Sequence, residues 1–86
     1  SNVIKETVKI IPNPIINYFK IELSSKVNER LPVCIYSVDG KLVKSIQILF
    51  SNGVSNNLDV TDLIKGRYLV VIKSESSIYR GNLLKR

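Results

Sequence analysis

The chain holds few residues able to do covalent chemistry. It has no histidine and one cysteine, Cys34. Without an imidazole, a serine or cysteine nucleophile lacks its usual base. A zinc site of the Cys/His type lacks ligands, and an intrachain disulfide is impossible. Cys34 sits in an apolar run and reads as a small core hydrophobe. Asp59 and Asp62 form the one carboxylate pair spaced to meet at a corner. Paired carboxylates serve glycoside hydrolysis or calcium binding, but calcium needs about six to eight oxygens. The local sequence supplies few, so the two aspartates read as turn caps. There is no glycine-rich phosphate loop. The expectation is a domain without catalytic residues, metal or cofactor.

The elements that position these residues read as strands. Residues 68–73 are the strongest. Tyr68, Val70 and Ile72 share one face, and Leu69 and Val71 share the other. Two apolar faces predict a central strand. Gly66 precedes it and allows a tight turn. The spacing Leu63-x-x-Gly66-x-Tyr68 resembles a tyrosine corner, in which the phenol bonds back to upstream backbone. Residues 6–11 predict a first short strand, stopped at Pro12-Asn13-Pro14. Two of those three residues lack an amide hydrogen, so the tripeptide reads as a stiff, extended corner between sheets. Residues 18–24 alternate cleanly, with Phe19, Ile21 and Leu23 inward. Residues 33–38 predict a third strand, followed by an Asp39-Gly40 hairpin turn. A fourth strand runs from residue 41 to about 50. Asn52-Gly53 then turns the chain into a fifth strand, 54–60, with Val54, Asn56, Leu58 and Val60 on one face. Thr61-Asp62 opens a polar corner too short for a stable helix. Residues 67–74 and 78–85 complete seven strands. The expected fold is all-β, a seven-stranded antiparallel immunoglobulin-like β-sandwich. Its expected core includes Phe19, Ile21, Leu23, Ile35, Val70 and Ile72.

Eighty-six residues make one domain, and 44% hydrophobic content suffices for a core. The net charge of +6 is spread over every segment and reads as a solvated surface. The tyrosines do not interleave with the bases as a stacking platform would, so no nucleic-acid partner is expected. The apolar runs fall far short of the ~20 residues that span a membrane, so no transmembrane segment is expected. No signal peptide is visible, and the chain reads as a fragment of a longer precursor.

Four stretches in order carry a family resemblance. They are Pro12-Asn13-Pro14 with Tyr18, Phe19 and Ile21; the run from Val33 through Asp39-Gly40 to Val43; the corner with Asp59, Leu63, Gly66 and Tyr68; and the terminal Leu83-Leu84-Lys85-Arg86. Together they resemble the C-terminal sorting domain of proteins exported by the type IX secretion system, type A. Two positions depart: the family often has Asp where Ser37 stands and Lys where Asn82 stands. The likeness places the domain at residues 8–86. Residues 1–7 are then a linker or expression scar plus the start of the first strand.

The resemblance implies a non-catalytic export signal at the end of an N-terminal cargo domain. Its partners would be the outer-membrane translocon and a sortase-like transpeptidase that removes the signal. The cargo would cross the periplasm to the cell surface or the extracellular space. Pro12, Asn13, Pro14, Asp39, Gly40, Gly66, Tyr68, Lys85 and Arg86 are the expected recognition residues. Leu83-Leu84 is expected to dock in the sheet and present Lys85 and Arg86 outward. The alternative is an accessory immunoglobulin-like module that binds carbohydrate or protein beside a larger secreted enzyme.

Overall fold

The computed structural model describes residues 4–12 and 17–86. Its strands are β1 (Ile4–Ile11), β2 (Tyr18–Leu23), β3 (Arg30–Ser37), β4 (Leu42–Ser51), β5 (Val54–Ser55), β6 (Leu58–Asp59), β7 (Gly66–Lys73) and β8 (Ser77–Lys85). There is no helix among the described residues. The order β1-β8-β7-β3-β4-β5-β2-β6, with a further β1–β2 pairing, nearly closes the sheet into a barrel. The all-β expectation holds, and so does the central place of β7 between β3 and β8.

Two features depart from seven antiparallel strands in two sheets. First, β1 serves both sides. Ile4 to Thr7 pair in parallel with β8, and Val8 to Ile11 pair antiparallel with β2. Gly81 makes the changeover possible, because a Cβ there would stand 2.2 Å from Val8 Cγ2. The change of sheet therefore falls inside β1, before Pro12. Asn13 and Pro14 lie outside the described residues. Second, the expected fifth strand is two short pieces, β5 and β6. Its alternation fails as well: Val54 and Asn56 are exposed while Ser55 is buried. The Ser55 hydroxyl accepts the Ile21 N–H at 2.8 Å and donates to the Asn56 carbonyl at 2.8 Å. A side chain thus replaces a ladder bond where the strand is interrupted, which no alternation rule anticipates.

The core is one cluster. It contains all six expected residues, together with Leu31, Val33, Phe50, Leu58, Val60, Tyr68, Tyr79 and Leu83. Period two in β2, β3, β7 and β8 sends alternate side chains inward. Cys34 corrects the core expectation. It falls on the outward parity of β3, is half-buried, and lies with Sγ 3.8 Å from Ser45 Oγ.

The turns follow their residues. Asn52 (φ 55°) and Gly53 (φ 83°) are both left-handed, as a two-residue hairpin with Ser51 opposite Val54 requires. Gly53 also donates its N–H to Val27 and accepts the Leu23 N–H, both at 2.8 Å. A Cβ there would meet the Ser25 carbonyl oxygen at 2.4 Å.

Ser55→Ala leaves the buried Ile21 N–H without its acceptor and should cost about 1–3 kcal/mol in chemical denaturation. Ser51→Ala, at an exposed neighbour, should stay within about 0.5 kcal/mol. Equal midpoints for the two variants would show that the hydroxyl plays no structural part.

Candidate recognition end of the barrel

The strand directions gather the motif residues at one end. There β1, β3, β6 and β8 finish, and β2, β4 and β7 begin. The register gives the levels: Ser37 faces Tyr68, Tyr68 faces Leu83, and Gly66 faces Lys85. Tyr36 faces Leu42, so the Asp39-Gly40 turn lies at the same level. Tyr18 faces Asp59, and Ile11 faces Lys20, which brings Pro12 to this end too. Stretches far apart in the chain therefore share one pole.

The corner before β7 holds the pole together. Val60 donates to the Asn17 carbonyl at 2.8 Å, and Leu63 donates to the Val60 carbonyl at 3.0 Å. The Asp59 carboxylate accepts the Thr61 N–H at 2.9 Å and the Thr61 hydroxyl at 2.8 Å. These bonds, backbone first, hold its carboxyl below the ordinary carboxylate pKa. Asp62 turns the other way and pairs with Lys44 of β4 at 3.2 Å. The barrel is open on this side, where residues 42–49 of β4 have β3 as their one strand neighbour. Gly66 leaves the corner at φ 151°, a conformation that side chains rarely adopt. Tyr68 is then buried, and its hydroxyl donates to the Ile64 carbonyl. The expected tyrosine corner is present.

The Asp39-Gly40 turn is a three-residue loop. Gly40 donates to the Ser37 carbonyl at 3.0 Å, Ser37 donates to the Lys41 carbonyl at 2.8 Å, and Gly40 has φ 87°. The Ser37 hydroxyl donates to the Asp39 carboxylate and lowers its pKa. Ser37, where the family often has Asp, thus has a local task.

The strand end corrects one expectation. Lys85 is buried, 8% exposed, while Arg86 is exposed. The period-two pattern of β8 runs through to Lys85, so Leu83 and Lys85 point inward and Leu84 points outward. Arg86 is the terminal base left on the surface.

Sequence reasoning missed the apolar character of this end. Among the described residues eight large hydrophobic side chains are exposed, and six belong here: Ile11, Tyr18, Val38, Leu42, Val43 and Ile64. Val38 and Ile64 are the most exposed, at 81% and 80%. A strand-pattern reading places such residues in or near the core, and their grouping needs the register. Among the described residues no cluster of His, Cys, Asp or Glu could hold a metal ion, and no helix is long and apolar enough to cross a membrane.

Residues 9–86 match the secretion system C-terminal sorting domain. The chain belongs to this family, the C-terminal sorting domains of type IX secretion. A sorting domain is one part of a larger cargo precursor that the secretion system handles, and it implies export to the cell surface or the extracellular space. No curated protein matches the chain. Among solved structures it is similar to the sulfur carrier protein SoxY from Chlorobium limicola f thiosulfatophilum. The identity is 13% and the TM-score 0.45, covering 99% of this chain and 86% of that one.

Tyr68→Phe should cost about 0.5–1.5 kcal/mol, more if the Ile64 carbonyl is left dry. Tyr68→Ala should cost roughly 3–5 kcal/mol. Unchanged midpoints in both variants would contradict the corner.

Asp39 and Asp59 also predict a pH dependence. Their folded pKa values lie below the unfolded ones. Their stabilisation is therefore complete above the ordinary carboxylate value of ~3.9 and fades as the pH falls below it. Asp59→Asn should lose less stability than the parent chain over that acid window. An identical acid profile would remove the Asp59 turn from this account.

Proposed function

We propose that the domain is a non-catalytic address that takes its cargo through the type IX outer-membrane translocon. A sortase-like transpeptidase then removes it, and the cargo is released or attached at the surface after transit of the periplasm. The domain spans residues 8–86. The observation that supports this reading best is the convergence of Pro12, Asp39-Gly40, Gly66-Tyr68 and Arg86 on one exposed, apolar end. A machinery that reads many unrelated cargoes needs features that depend on the folded signal alone.

The recognition residues divide into two kinds. Gly40, Gly66, Tyr68 and the buried Lys85 act by shaping the end. Asp39 and Arg86 are exposed at this end, as are Val38 and Ile64. Asn13 and Pro14 stay in the proposed set through the family motif. A carbohydrate-binding module would instead display aromatic rings, and Tyr18 is the one exposed tyrosine.

Deleting Arg86 removes an exposed charge and should change stability by about 0–1 kcal/mol. Export of a fused reporter should nevertheless fall, with precursor accumulating in the periplasm. Deleting Lys85 as well should also lower the unfolding midpoint, because Lys85 is buried and is the ladder partner of Gly66. Full export of the Arg86 deletion would take that residue out of the signal.

A further inference from the structure

The outer face of β3, β7 and β8 carries a groove of about 530 Å³ that runs from the Asp39-Gly40 turn along β7. Its floor is Tyr36, Leu69 and Val71, all half-buried. Leu69 lies opposite Tyr36 on β3, and Val71 lies opposite Arg80 on β8. Arg67, Lys73 and Arg80 are exposed on the rim. Among the described residues no carboxylate lines the groove. The turn at its mouth contributes Val38 and Gly40, and Asp39 in that turn is already engaged by the Ser37 hydroxyl. A second hollow continues past Arg67 to Leu84.

This face combines two features that seldom coincide on a solvated sheet. Its centre is aliphatic, which favours removal from water. Its charge is of one sign, which selects the partner's sign and speeds encounter. Arg67 and Lys73 stand six residues apart on one strand, roughly 20 Å at strand rise. That length suits an extended peptide. The narrow aliphatic strip takes alternate apolar side chains, while carboxylates on either side meet the three cations. A nucleic acid would need exposed stacking rings, and of the two tyrosines that line the groove Tyr36 is half-buried and Tyr68 is buried.

We propose that this groove binds an extended acidic peptide segment of a partner protein, one that alternates carboxylates with aliphatic residues. The partner's setting, at the secretion machinery, rests on the sorting reading; the binding itself does not.

The test is a nuclear magnetic resonance titration of the isotope-labelled chain. Its probes are a synthetic peptide alternating glutamate with valine and leucine, the counterpart with lysine for glutamate, and phosphatidylglycerol vesicles. Binding of the glutamate peptide should shift the signals of Tyr36, Leu69, Val71 and Arg80. Arg67→Gln with Arg80→Gln should weaken it about tenfold or more, and lysine at both positions should restore most of it. Both arginines are exposed, and an unchanged free spectrum will show that the variant folds. Shifts scattered over the surface, equal binding of the lysine peptide, a preference for vesicles, or an unaffected variant would each overturn the proposal. A failed titration leaves the sorting reading intact, because it reads binding alone. Failed export of the wild-type fusion does the reverse.

Discussion

The hydrogen bond from the Tyr68 hydroxyl to the Ile64 carbonyl is the constraint on which the motif end depends. It ties the first turn of the central strand back to the corner that feeds it. Tyr68 is at once a core residue and a polar anchor, with its ring inside the cluster and its hydroxyl at the surface-facing backbone. Through that bond the corner takes a set position over β7. The Asp62–Lys44 pair carries the same corner across the open side of the barrel to β4. The Asp59–Thr61 bonds fix its start beside β2. Four segments of chain are thereby held in one frame.

The arrangement lets a domain of this size gather its motif residues at one end. The barrel interior supplies stability, and the opposite end is closed by tight turns such as Asn52-Gly53. The motif end keeps Val38 and Ile64 in water, although each would be more stable if covered. Exposed apolar side chains are grouped at this end, and on the proposed reading they are where the domain docks. The type IX sorting family supplies the context in which such docking is expected.

Much of the fold was legible in the sequence because period two is a strong signal. Phe19, Ile21 and Leu23 alternate with charged residues, and all three are buried. The tyrosine corner was legible from the spacing of Leu63, Gly66 and Tyr68. Four things were not. The split of β1 between β8 and β2 depends on Gly81 making room for Val8, a contact between residues distant in sequence. The inward serine at position 55 follows from an interrupted strand, where a hydroxyl does what a backbone group would do. Lys85 was expected in water because Leu83-Leu84 was read as docking in the sheet with the basic end outward, yet strand parity sends Leu83 and Lys85 inward at the end of β8. The groove on the outer face was equally hidden, since Leu69 and Val71 read as the second apolar face of a central strand.

The central claim is that the address lies at one end of the folded barrel. Its most direct test is a pole-against-pole scan of exposed residues in a reporter fusion. Val38→Ser, Leu42→Ser and Ile64→Ser would be compared with Leu49→Ser and Val54→Ser, which are also exposed but lie away from that end. Export would be measured alongside thermal unfolding. The account predicts that the first three lower export while all five fold normally. Equal export across the five, or loss confined to Leu49 and Val54, would contradict it.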